Sequence, residues 1–251
     1  MITITRYTPE FEKEWDDFVR TSKNGTFLFD RRFMDYHADR FQDHSVMFYD
    51  EDCLLAVMPA HVDGDCLVTH GGLTYGGLLI SRECSAQGVL DAFTAINAYL
   101  RRVGISRVVY KAVPHIYHQL PAEEDLYALT AVCHARLVIR DISSAIQSPH
   151  SLRFTESRRS GLRKAQRAGL QVCESTDVDA FWRILNDNLT AKYAVSPVHT
   201  ADELRLLQAR FPDNIKLWLA CDGDVPVGGT LLFLTPRVLH TQYISANARG
   251  K

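Results

Sequence analysis

Apolar positions along the chain repeat with two periods, and the switches between them mark out the elements. Phe11, Trp15 and Phe18 share one helical face, behind Thr8 as a cap and Pro9 at the first helical position. An aromatic-rich helical segment follows near Phe33–Phe41. Alternating runs then predict strands at about 45–50, 53–62 and 65–80, with turns at Asp50-Glu51-Asp52 and Asp63-Gly64-Asp65. Leu90, Phe93, Ile96 and Leu100 define a long amphipathic helix that Gly104 stops. Val108–Val113 and Ala135–Ile142 read as further strands, and Ser143–Ser151 as a linker.

The second half opens on a basic helix, Arg158–Ala168, ended by Gly169, and a short strand at Leu170–Cys173. Val178, Phe181, Leu185 and Leu189 form the inward stripe of the next helix. Thr200 and Glu203 are spaced as a capping box for another, with Leu204 and Leu207 inward. Strands are expected near 214–221, 225–234 and 237–246. The turn at 222 follows the turn at 50 by 172 residues, and the turn at 235 follows the one at 63 by the same 172. Helices precede a three-strand meander in both halves, so the chain reads as a duplicated α/β (α+β, mixed-sheet) domain. The copies are expected at 1–145 and 150–251. By the same repeat, a loop and central helix would follow Lys251, so the second copy reads as truncated after its central strand.

The order of elements, a helix pair, a meander, then a loop and central helix, resembles the GNAT acyltransferase fold. Two such domains in tandem resemble the FemAB-like, Fem-type family of bacterial transferases. "GTFLFDRRFMDYH" is similar to that family's "TF-x-Q-S-x-x-W" region, with Gln and Trp replaced. "LTYGGLLI" resembles its "IPRGPV" stretch, without the Arg and Pro. "RRSGLRKAQRAGLQV" resembles its "R-x-x-I-R-K-A-x-K-x-G-V-x-V" segment, and "WLACDGDVPVGGTLLF" its "A-x-x-x-G-x-x-V-A" hairpin. The resemblance implies an acyl or aminoacyl transferase acting on an amine. Acyl-CoA or aminoacyl-tRNA would be the donor, and a small molecule or peptidoglycan precursor the acceptor. It implies no permanently bound cofactor. The alternative is a degenerate, non-catalytic copy of the fold that binds a cell-wall precursor or nucleotide. A truncated second domain would also favour self-association.

Composition narrows the classes. The chain has 251 residues, 46% hydrophobic and 23% charged, with a net charge of -2, which gives no global pull toward nucleic acid or acidic lipid. The six cysteines form no CxxC pair and most sit in apolar stretches, as expected of reduced thiols in a cytoplasmic protein. HExxH, GxxxxGK[ST] and GxSxG are absent. His115 and His118 lack a third ligand nearby, so no metal site is expected.

Candidate binding residues fall in five places, and no catalytic residue is singled out. Tyr36 lies in the early "MDYH" stretch. "HGGLTYGG" supplies His70, Tyr75, Gly76 and Gly77, read either as a ligand-facing bulged strand or as one closing a domain interface. Arg159 and Arg163 form a stripe with Arg167, beside Lys164; it either holds phosphates or is a solvated face. "KYAVSPVHT" gathers Lys192, Tyr193 and His199; His199 is either a proton shuttle or a loop residue beside a helix cap. In "HTQYI", alternation puts His240, Gln242 and Ile244 on one face and Thr241 and Tyr243 on the other. By the resemblance this strand lines the substrate cleft, where Tyr243 either protonates a leaving group or is a plain sheet residue.

Overall fold

The computed structural model describes residues 1–69, 71–149 and 152–250. It divides into two compact units, one of Met1–Arg136 with Thr235–Val238, the other of Leu137–Leu234 with Leu239–Lys251. No helix among the described residues is long and apolar enough to cross a membrane.

The first unit runs β1 (Ile2–Arg6), α1 (Glu12–Thr21), α2 (Arg31–Met34), β2 (Gln42–Asp43), β3 (Val46–Asp50), β4 (Cys53–Met58), β5 (His61–Asp63), β6 (Cys66–Val68), β7 (Leu79–Ile80), α3 (Ala86–Arg102), β8 (Arg107–Val109) and α4 (Glu124–Ala131). Its strands form two sheets, ordered β1-β3-β4-β7 and β2-β5-β6-β8. Thr8 and Pro9 open a single 3-10 turn, with no side-chain cap, and α1 begins only at Glu12. Trp15 on α1 is fully buried, and its indole N–H donates to the Phe29 carbonyl at 2.8 Å. Ser85 caps α3, whose inward stripe Val89, Phe93, Ile96 and Leu100 packs with Val46, Phe48, Met58 and Leu67 in one core. Gly104 adopts φ +79, the left-handed stop expected after this helix.

The second unit runs α5 (Glu156–Arg167), β9 (Gln171–Ser175), α6 (Val178–Tyr193), α7 (Ala201–Arg210), β10 (Ile215–Asp222), β11 (Val225–Leu234) and β12 (Leu239–Ala246). Its one sheet is antiparallel throughout, in the order β12-β11-β10-β9. Phe181, Leu204, Leu207, Ile215, Leu217, Leu231 and Phe233 are all buried there.

The repeat holds at the level of hydrogen-bond register. In the first unit Val46 faces Met58, Phe48 faces Ala56, and Tyr49 faces Leu54, leaving Leu55 as the extra residue of a bulge. In the second, Trp218 faces Thr230, Ala220 faces Gly228, and Cys221 faces Pro226, leaving Val227 extra. Every position is displaced by 172, the bulge included. The turn residues Glu51 and Gly223, also 172 apart, both adopt positive φ. The next hairpin matches as well, since His61 faces Val68 and Phe233 faces His240.

The copies then part. Pro59, which has no N–H to give a ladder, stands where the second copy has Leu231. The strand breaks between β4 and β5, and after Val68 the chain leaves the sheet for ten residues. It then joins the other sheet as β7, beside β4, where Leu79 faces Val57 and Ile80 faces Ala56. The second copy reaches the equivalent ladder position directly, with Ser245 facing Gly229. "HGGLTYGG" is therefore largely an excursion, and the strand expected over 65–80 is two short ones. Gly71 and Gly72 lie flat against imidazoles: a Cβ would fall 2.0 Å from His61 Nδ1 and 1.8 Å from His37 Nε2.

Two further expectations are corrected. The strand at Val108–Val113 is only Arg107–Val109, parallel to β6. Ala135–Ile142 forms no strand; its apolar residues are exposed, Ile142 to 96%, because no ladder partner lies beside them among the described residues. Residues 143–149 of the expected linker have no helix or strand, and His150 and Ser151 lie outside the described residues.

Candidate active site

The second unit gathers polar side chains around β12. Leu231 faces Tyr243 and Leu232 faces Thr241, so Gln242 is the extra residue of a bulge. That bulge overturns the simple alternation of "HTQYI". Tyr243 shares a face with His240, and Thr241 shares the other with Ile244, because the inserted residue shifts the period of two by one.

His199 is fixed from the other side. α6 ends in Ala194, at φ +54, and a short loop leads to the capping box of α7. Thr200 Oγ1 accepts from the Glu203 N–H at 3.2 Å, and Glu203 Oε2 accepts from the Thr200 N–H at 2.8 Å. This reciprocal clamp holds the residue before it, and His199 is only 7% exposed. Its Nδ1 lies 2.6 Å from the Tyr243 hydroxyl. The His199 main chain and the Gln242 side chain both lower the pKa of that hydroxyl. The His199 tautomer sets the roles in that pair: with Nδ1 unprotonated, the Tyr243 O–H donates to it. Burial is the larger influence and raises the Tyr243 pKa, so the hydroxyl keeps its proton at neutral pH.

Trp182 and Asn188, which the sequence reading left out, and His240, which it placed on the opposite face from Tyr243, complete the surroundings. Trp182 on α6 meets the Tyr243 ring edge-on, at 5.5 Å and 87°. Asn188 donates to Ser245 Oγ and to the Ala246 carbonyl, both at 2.7 Å, tying α6 to the end of β12. His240 has its pKa lowered by burial, against a raising influence of the Gln242 side chain. Asn188 had a sequence signal: a polar residue in line with Phe181 and Leu185 on the inward stripe. Trp182 lies beside that stripe, and the bulge that brings in His240 has no signature in residue type.

The other candidates lie elsewhere. Lys192 and Tyr193 end α6, with the ammonium 5.0 Å from the Tyr193 ring centroid. Arg159 and Arg163 both reach Glu156 on the exposed α5, Arg159 at 3.5 Å, and Lys164 lies on the same helix. In the first unit Tyr36 packs edge-on to Phe33 and beside His37. Tyr75 is 2% exposed, between Phe29 and Tyr117, with its hydroxyl on Thr26 Oγ1 at 3.2 Å. The Gly76 N–H donates to the Lys111 carbonyl, and Gly77 adopts φ +92 against the Tyr110 ring. These three residues build the core around the excursion. His70 lies outside the described residues.

A strand, a helix pair and a three-strand meander, repeated at constant register, make a tandem GNAT fold of the FemAB-like kind. Its similarity to a solved structure of FemX bears this out: TM-score 0.60 over 98% of this chain and 81% of that one, at 9% identity. The chain also aligns with a tandem GNAT protein from the clavulanic acid biosynthesis pathway (TM-score 0.43, 10% identity, 99% of this chain and 80% of that one). A third match is a probable N-acyltransferase from Enterococcus faecalis V583 (TM-score 0.38, 10% identity, 100% of this chain and 59% of that one). No protein-family model and no curated protein matches the chain. The FemX likeness carries the fold and leaves the chemistry to be argued from the site.

Proposed function

We propose that the chain is an acyl or aminoacyl transferase acting on an amine, with Tyr243 as its proton donor. The observation that carries this reading is the Tyr243 hydroxyl held at 2.6 Å from His199 Nδ1, on a bulged strand of a FemX-like fold. In such a reaction a neutral amine attacks an activated ester or thioester carbonyl. Positioning supplies much of the rate, and the departing oxygen or sulfur needs a proton as its bond breaks. Tyr243 is protonated at neutral pH and can give that proton once the leaving atom replaces His199 Nδ1 as its acceptor. The His199 main chain and the Gln242 side chain, both of which lower the Tyr243 pKa, favour the phenolate left behind, which afterwards takes a proton from the ammonium of the attacking amine.

The donor in this reading carries phosphates, as acyl-CoA or aminoacyl-tRNA does, and Arg159, Arg163 and Lys164 would meet them. Glu156 already offsets part of that charge. The acceptor is the amine of a small molecule or a peptidoglycan precursor, in a cytoplasmic setting. A panel of acyl-CoAs and charged tRNAs, each with amine acceptors, tests the proposal by mass-spectrometric detection of the amide product. Amide formation that disappears in Tyr243→Phe supports it. Donor binding without turnover would instead identify a binding module.

A further inference from the structure

Two thiols in the second unit have no part in this chemistry. Cys173 lies on β9 and Cys221 on β10. Cys173 faces Leu219 and Gln171 faces Cys221, so the cysteines are diagonal neighbours on the same face of adjacent antiparallel strands. Cys173 is exposed, Cys221 is half-buried, and both are free thiols. The first copy has no counterpart: the residues at the matching places are Thr5, which faces Met47, and Tyr49. Cys66 and Cys84, by contrast, are buried in the first unit.

We propose that Cys173 and Cys221 form an oxidisable dithiol, which hydrogen peroxide closes into a disulfide between β9 and β10. The exposed Cys173 sulfur attacks one peroxide oxygen and the O–O bond breaks. A sulfenic acid forms on Cys173 and one water leaves. The Cys221 sulfur then attacks the Cys173 sulfur. The S–O bond breaks, the S–S bond forms, and a second water leaves with the Cys221 proton. Two thiols are oxidised and one peroxide is reduced.

The geometry suits the second step. A sulfenic acid on Cys173 forms within reach of the resolving thiol. β9 is an edge strand, paired only with β10, so it can shift by the small amount that a diagonal pair needs for bridging. Burial raises the pKa of the Cys221 thiol, which keeps it from reacting first. The bridge would fasten the strand into which the basic helix α5 runs through Gly169. It is independent of the transferase reading.

Oxidation of the native, purified chain with stoichiometric hydrogen peroxide tests the proposal, read by intact mass and disulfide mapping. The expected product has lost two hydrogen atoms, joins the Cys173 and Cys221 peptides, and reverts with dithiothreitol. Cys53→Ser leaves that product intact, whereas Cys173→Ser and Cys221→Ser abolish it. Cys173 that accumulates added oxygen while Cys221 stays open to alkylation would overturn the proposal. So would a bridge to any other cysteine.

Discussion

The two copies share one hairpin register and diverge over a few residues. In the first, Val68 to Leu79 is an excursion built on glycine, with Tyr75 buried in its middle. In the second, His240 to Ser245 is a bulged strand, with Tyr243 against His199. The first copy has Gly71 where the second has Tyr243, counting by the common offset. Phe29 stands before the first copy's α2 cap, where His199 stands before the cap of α7. The same scaffold thus carries a packed aromatic core in one copy and a hydrogen-bonded tyrosine–histidine pair in the other. Duplication supplies two frames, and a short stretch after the second turn decides what each holds.

The sharpest way to break this comparison is to move the interruption. Leu231→Pro places the first copy's proline in the second copy's strand, removing a ladder donor and a buried leucine. The expected loss is about 3 kcal/mol or more. Denaturant unfolding would measure it, together with hydrogen exchange at Thr241–Ile244. A variant as stable as the parent would show that Pro59 does not cause the split.

A smaller effect separates the copies by pH. The first buries Asp16 and Asp125, whose pKa values burial raises to about 6 from 3.8. The Asp16 carboxylate also accepts the Arg31 N–H, and Tyr110 donates to Asp125 at 2.6 Å. A raised carboxyl pKa means that the folded unit holds protons the unfolded chain has released. Stability should therefore fall as pH rises from about 4 to about 6, and stay lower above that. The expected loss is about 3 kcal/mol per carboxyl. Asp125→Asn should flatten its share of the slope in pH-resolved unfolding. A slope unchanged in that variant would contradict the assignment.

The repeat was legible because its turns are written in turn chemistry, Asp, Glu and Gly in three of them and Pro236 in the fourth, at constant spacing. The capping box was legible because Thr200 and Glu203 carry it in their own side chains. The bulges at Leu55, Val227 and Gln242 were not, since a bulge is a relation between two strands and leaves no mark on residue type. The same reasoning explains Ala135–Ile142, whose β-branched residues suit a strand that has no partner in the fold. Tyr75 and Tyr243 look alike in sequence. Ten residues of excursion bury one, and a single bulged residue turns the other to His199. Both members of that pair were visible as candidates, but their meeting was not, because 44 residues and two turns of topology separate them.

The central claim is that the second copy holds the chemistry and the first does not. Its most direct test is the rate of acyl transfer to an amine by Tyr243→Phe, measured beside Tyr75→Phe. The account predicts that Tyr243→Phe lowers kcat by about 100- to 10,000-fold, the range for loss of a positioned proton donor. Tyr75→Phe should keep kcat while losing about 1 kcal/mol of stability with its hydrogen bond. Transfer at the parent rate by Tyr243→Phe, or an equal loss of kcat in both variants, would contradict it.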